Sequence, residues 1–442
     1  MNQRLLRALV PILLTLLSAS LTGCGDRLPS PPPGCADAPR PIVFVHGFLG
    51  GGDNFAPTVL RFASNGYCPD YLRTYDWNTL SFDMEANTAD LDAFVNQVLD
   101  ETGAEQIDLV GHSMGGRLCH QYLQDHAERV AHYVHAASFC DLTFPEAPPV
   151  LVLSSDEDTI LGTCTIDGAD NRDVDGADHL QMVTLPETFA ALYRFFNAGQ
   201  APDTTRVVAE TPVILSGKVL DIGMNTAGAG ASVSVYPLDA SSGERLEAAP
   251  AARFTAAEDG RWGPFEADPA TYYEFEVTQA GTRPFHYYRQ PFLRSTALVY
   301  LRRLPESNLL LNSMLGDIRY DDASSTIVFF SAHQALYAGR DSATLDGVDL
   351  VTPEMAPPPP DEASTIAIFI QDFDGDGQTD GGPVPGPTAD MPFFQGYDAF
   401  IDAGSRRSVT LTFNGAVLHV PTWKGDSEGA ILVVFDYGQD GL

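Results

Sequence analysis

The run Val110-Gly111-His112-Ser113-Met114-Gly115-Gly116 has the residue types and spacing for nucleophilic chemistry. An apolar stretch, Gln106 to Val110, feeds into it, and helix-compatible residues from Gly115 to His126 follow. A serine on a sharp strand-to-helix turn needs strained backbone angles, and only neighbours without side chains let strand and helix pass that closely. Such a turn lifts the Ser113 hydroxyl above the sheet and aims backbone N–H groups at whatever it attacks. A serine hydroxyl is a weak nucleophile until a histidine takes its proton, and that histidine needs a carboxylate to fix its tautomer. The rest of the chain must therefore supply a base, an acid and donors for a developing oxyanion.

Of ten histidines, most are spoken for by position. His112 is part of the elbow, and His46 opens the glycine-rich loop after the first strand. His120 and His126 fall in the helix after Ser113, on the wrong side of the sheet, and His132 and His135 sit on a strand. His286, His333 and His419 belong to the second half of the chain. His179 remains, in Gly176-Ala177-Asp178-His179-Leu180-Gln181. This loop precedes the last helix, so His179 can reach over a nucleophile at the strand ends. For the acid, Ser154 to Leu161 leaves an apolar strand, and Asp158 is chosen because Ile160 and Leu161 can pack down and hold the loop. Asp156 is the close rival and Asp141 a third. The oxyanion donors expected are the backbone N–H groups of Met114 and Phe48.

Continuous apolar runs read as buried parallel strands: Pro41 to Val45, Gln106 to Val110, Val130 to Ala137 and Pro149 to Leu153. Asn54 to Asn65 reads as helical. Thr88 is expected to cap a helix with Leu91, Phe94, Val95, Val98 and Leu99 on one face, stopping near Gly103. Pro186 opens a last helix that Gly199 ends. Strands alternating with helices predict a parallel α/β sheet over residues 41–203. From Thr205 the helical pattern gives way to strand-like runs separated by turn signals. These predict a β-sandwich-like unit over 204–304 and a second β-rich domain, or a continuation of the first, over 305–442.

Val43-Phe44-Val45-His46-Gly47-Phe48, Gly111-His112-Ser113-Met114-Gly115, Asp158 and His179 together resemble the α/β-hydrolase superfamily, specifically its lipases and esterases. The chain order nucleophile, acid, histidine is the order of that class. The β-rich second half, with His179-Leu180-Gln181 followed by Pro186-Glu187-Thr188-Phe189, is similar to prokaryotic two-domain lipases, in which a C-terminal β domain helps bind long acyl substrates. The resemblance implies an α/β-hydrolase fold followed by a β-rich domain, with Ser113, His179 and Asp158 as catalytic residues and no cofactor for catalysis. Between Trp77 and Leu91 there is no insertion long enough for a helical lid, a departure that leaves room for a short-chain carboxylesterase or polyester depolymerase. A surface-anchored binding lipoprotein that kept the hydrolase shape is the non-enzymatic alternative.

The 442 residues carry 59 acidic against 25 basic side chains, a net charge of −34. That argues against nucleic acid or an anionic membrane as an electrostatic partner. The N-terminus has Arg4 and Arg7, then an apolar run to Leu21, and ends Leu21-Thr22-Gly23-Cys24. This ending resembles a bacterial lipobox, which implies an exported protein tethered to the outer membrane by acyl chains on Cys24. Residues 25–40 are Pro-rich and read as a tether. Export permits disulfides; Cys35–Cys68 and Cys140–Cys164 are the expected pairs, with Cys119 buried and reduced. Asp372, Asp374, Asp376, Gln378 and Asp380, spaced around glycines, match the start of a calcium loop, although Pro383 stands where the bidentate Glu belongs. Asp167 to Asp175 lacks that register and reads as a solvated loop. The aromatic run Phe285 to Phe292 reads as β-domain core. The partners expected are a lipid or other ester substrate and, through Cys24, a membrane.

Overall fold

A computed structural model describes residues 40–144, 148–304, 318–360, 364–384 and 393–438. Cys24 and most of the Pro-rich tether therefore lie outside the described residues. The first half is a six-stranded parallel sheet built from β1 (Ile42–Val45), β2 (Leu72–Tyr75), β3 (Ile107–His112), β4 (Val130–Ala136), β5 (Val150–Ser154) and β6 (Asp170–Asp173). The strand order is β2-β1-β3-β4-β5-β6. The helices are α1 (Ala56–Ser64), α2 (Met84–Thr102), α3 (Met114–His126) and α4 (Pro186–Phe196).

Strand alternation divides the core between the two faces. Ile42 and Phe44 of β1 pack with Phe62 of α1 and Phe189 of α4. Val43 and Val45 pack instead with Leu91 and Val95 of α2 and Leu118 of α3. Both faces are covered, which is why these strands read as unbroken apolar runs.

Two local expectations are corrected. Helix α2 begins at Met84, capped by Asp83, whose carboxylate accepts from Ala86 N at 3.1 Å. Thr88 lies inside the helix and donates back to Met84 O at 2.7 Å. An Asp at the cap outranks the apolar register as a start signal. Gly103 does end the helix, in the left-handed region. The acidic stretch read as a solvated loop contains β6, which pairs in parallel with β5. Its charges suit an exposed sheet edge, where they discourage pairing with another chain.

The second half holds β7 (Val213–Asp221), β8 (Ser232–Leu238), β9 (Ala252–Thr255), β10 (Arg261–Ala267), β11 (Tyr272–Thr278), β12 (Phe285–Arg289) and β13 (Leu301–Arg303). Then come β14 (Ile327–Ser331), β15 (Ala343–Leu345), β16 (Val348–Asp349), β17 (Ala367–Gln371), β18 (Phe394–Asp398), β19 (Ser408–Phe413), β20 (Ala416–Pro421) and β21 (Ala430–Phe435). An eight-stranded mixed sheet, β18-β17-β14-β21-β12-β11-β8-β9, is the central layer. It takes strands from both sides of residue 304, joined where β12 pairs in parallel with β21. The three-stranded sheet β10-β7-β13 and the four-stranded sheet β16-β15-β19-β20 complete this half. On β14 and β17, Ile327, Phe329, Ile368 and Ile370 point into the core shared with β19 and β20. Their alternate neighbours Val328 and Phe369 point the other way and pack with Leu49 of the first half. The aromatic strand β12 is buried throughout.

Cys140 and Cys164 form a disulfide, and Cys119 is buried and free. Cys68 is disulfide-bonded, and its expected partner Cys35 lies outside the described residues. Among the described residues no helix is long and apolar enough to cross a membrane.

Candidate active site

Ser113 joins β3 to α3 with φ 54° and ψ −125°, an angle pair that costs a non-glycine residue roughly 1–3 kcal/mol. The surroundings hold it there. Its N–H donates to Ala136 O at 3.1 Å, and its carbonyl accepts from Ser138 Oγ at 2.7 Å. Close approach explains the glycine at 115: a Cβ there would stand 2.3 Å from the Val45 carbonyl oxygen.

His179 leaves the loop between β6 and α4 and is buried. Its Nδ1 lies 2.9 Å from Asp158 Oδ2 and 3.1 Å from Oδ1. A carboxylate only accepts, so Nδ1 carries the proton and Nε2 keeps its lone pair. Burial raises the Asp158 pKa, but the His179 hydrogen bond and charge and the Ile160 and Leu161 N–H groups outweigh it and hold the carboxyl below its ordinary value. Those N–H groups donate to Oδ1 at 2.9 and 3.2 Å. Asp156 is exposed. Asp141 faces Arg117 at 3.5 Å on the surface. Among the described residues no hydrogen bond joins Ser113 Oγ to His179, although both line one cavity; such contacts commonly tighten only when substrate binds.

His112 has a role that its place in the elbow did not reveal. Its Nε2 lies 2.8 Å from the His179 carbonyl oxygen, so it donates there and ties the Ser113 turn to the His179 loop. Burial, then the neighbouring His179, lowers its pKa to about 3, and it stays neutral at working pH.

The loop after β1 turns at Leu49, whose φ is 56°. Leu49 N donates to Thr79 Oγ1 at 3.0 Å, and Thr79 in turn donates to Gly223 O at 2.7 Å. Asn225 donates to Gly50 O at 3.0 Å, and Arg302 pairs with Asp53. Gly223, Asn225 and Arg302 belong to the second half, so the β region braces this loop. Phe48 lines the cavity. Met114 is the first residue of α3, where an N–H has no partner within the helix.

The cavity over Ser113 has a volume of about 130 Å³. Phe48 and Leu49 line it from the first half, and Phe330, Phe369, Phe394 and Leu432 line it from the β region. In the second candidate site, Asp372 and Asp374 converge with Asp398, and Asp374 converges with Asp376 and Asp380. Asp398, on β18, was not foreseen, since only sheet pairing brings it to the loop. Gln378 is turned to Asp376, donating to its Oδ2 at 2.8 Å.

A parallel sheet flanked by helices, with a strained serine at the strand-to-helix turn and a His–Asp pair on later loops, defines an α/β hydrolase. Residues 40–161 match the family described as alpha/beta hydrolase fold, and residues 211–305 match the lipase C-terminal domain. Together the two matches support a carboxylic ester hydrolase. Similar solved structures include an esterase from Rhodococcus sp. ECU1013, 16% identical, covering 37% of this chain and 92% of that one with a TM-score of 0.30. A carboxylesterase from Bacillus subtilis is 18% identical, covering 38% of this chain and 86% of that one, at a TM-score of 0.29.

Proposed function

We propose that this chain is a serine ester hydrolase acting on fatty-acyl esters, a lipase. Ser113 Oγ attacks the ester carbonyl while His179 Nε2 takes its proton, and the tetrahedral oxyanion is held by the Phe48 and Met114 N–H groups. His179 then protonates the departing alcohol, leaving an acyl-Ser113. Water, activated by the same imidazole, releases the acid and restores the serine. Asp158 keeps the imidazole in the required tautomer and stabilises its charged form. The observation that carries this reading is the apolar cavity over Ser113, lined by Phe330, Phe369 and Phe394 of the β-rich half and by Tyr287 and Tyr300 from the residues that match the lipase C-terminal domain.

A short-chain carboxylesterase is the second reading, favoured by the size of that cavity. At about 130 Å³ it is close to the ~150 Å³ of an engineered cavity that holds a single benzene. Turnover of p-nitrophenyl esters from butyrate to palmitate separates the two. A long-chain optimum supports the lipase, and loss of turnover beyond short chains supports the esterase. We further propose export and tethering through lipidated Cys24, tested by fatty-acid labelling that Cys24→Ala should abolish. The Asp372–Asp380 loop, with Asp398, is proposed as a structural calcium site outside the catalytic chemistry.

A further inference from the structure

We infer that the segment His333–Asp341 of the β-rich half is a brace for the catalytic dyad, with Arg340 as the positioning residue that holds the His179 loop. The inference rests on the reading of His179 as the base. Asp178, directly before His179, is fully buried and divides its carboxylate between the two halves of the protein. Oδ1 accepts from Leu180 N and Gln181 N, each at 3.0 Å, which fixes the turn that carries His179. Oδ2 accepts from Arg340 Nη2 and from Ala335 N, again each at 3.0 Å. Arg340 Nη1 also reaches Gln181 Oε1 at 3.2 Å, and Thr184 donates to His333 O at 2.7 Å.

The same segment reaches toward the acid loop, where Tyr337 approaches Thr159, the residue after Asp158. Arg340 is itself fixed by Asp341, at 2.9 Å from Nε, and lies over the Tyr337 ring. A buried carboxylate needs a partner charge. Burial pushes the Asp178 pKa up and Arg340 opposes that shift. Without the guanidinium, the Asp178 Oδ2 loses its partner charge, and the turn beneath His179 loosens. Small displacements of a general base cost rate far more than binding. The β region would therefore serve the chemical step as well as the walls of the cavity.

The test is a double-mutant cycle on the full chain with p-nitrophenyl butyrate. Arg340→Gln is expected to lower kcat by roughly ten- to a hundredfold with little change in KM, and Arg340→Lys to recover part of the loss. In an Asp178→Asn background, Arg340→Gln should cost less than about twofold. Arg407→Gln, which breaks a surface pair with Asp346 in the same half, should leave kcat unchanged. An unchanged kcat in Arg340→Gln, or an equal loss with and without Asp178, overturns the brace. So does a loss of kcat that only follows the fraction unfolded. Amide exchange at Leu180 and Gln181 reads the turn without activity: faster exchange in Arg340→Lys or Arg340→Gln supports the brace, and unchanged exchange in both contradicts it. If the wild type is inert to a fluorophosphonate, the nucleophile reading fails, and the exchange result alone decides the brace.

Discussion

Asp158→Asn isolates the part of the site that the hydrogen-bond geometry defines best. Two backbone N–H groups, from Ile160 and Leu161, point at Oδ1, so the substituted amide keeps its oxygen there. Its NH2 then replaces Oδ2, the atom 2.9 Å from His179 Nδ1. A donor facing Nδ1 forces the proton onto Nε2, and the imidazole can no longer accept from Ser113. The same swap in serine proteases costs about 10⁴ in kcat, and a loss of roughly 10³–10⁴ corresponds to about 4–5 kcal/mol of transition-state stabilisation. The fold should be little affected, because volume and the loop hydrogen bonds are retained. The assay is kcat for p-nitrophenyl butyrate at neutral pH, with Asp156→Asn as the control and circular dichroism as the check on folding. Asp156 is exposed, and its substitution should change kcat by less than about threefold. A loss below tenfold in Asp158→Asn, or a larger loss in Asp156→Asn, would refute the assignment.

Gly115→Ala sets a Cβ 2.3 Å from the Val45 carbonyl oxygen, so denaturant unfolding should show a loss of about 1–3 kcal/mol, with the larger effect on kcat because the elbow moves. Asp436 gives a pH prediction: burial raises its pKa, but Arg289 and His333 outweigh that and bring it down to about 2. A depressed carboxyl contributes stability that is full above its unfolded value near 4 and is lost as pH falls toward 2. Asp436→Asn should therefore flatten the dependence of unfolding free energy on pH across that window, and an unchanged slope would count against the ion pair. Chelation with EDTA should lower the melting temperature if the Asp372–Asp380 loop holds calcium; an unchanged melting temperature, with calcium added back as the control, rejects the site.

Much of the first half was legible because its signals are local. A parallel strand buried on both faces is an unbroken apolar run, and an elbow needs glycine at fixed offsets from Ser113. The loop position of His179 followed from the order of strands and helices, and the structure puts Asp158, rather than the exposed Asp156, against its ring. Local signals also misled: the apolar register of α2 drew its start to Thr88, and the charge of Asp170 to Asp173 hid an edge strand. The β-rich half was legible only as strands and turns. Its central sheet depends on β12 meeting β21, some 145 residues apart in the chain by their pairing Phe285 with Ala430, and no local pattern encodes that partner. The brace on the His179 loop and the wall of the cavity share this origin. Arg340 and Asp178 are ordinary charged residues until the fold buries one against the other.

The central claim is that Ser113 is an activated nucleophile. Mass spectrometry after treatment with a fluorophosphonate tests it most directly. The account predicts a single stoichiometric adduct on the peptide carrying Ser113, absent in Ser113→Ala, which should also lose p-nitrophenyl ester hydrolysis while keeping its fold. No adduct on the wild type, or wild-type turnover in Ser113→Ala, would contradict it.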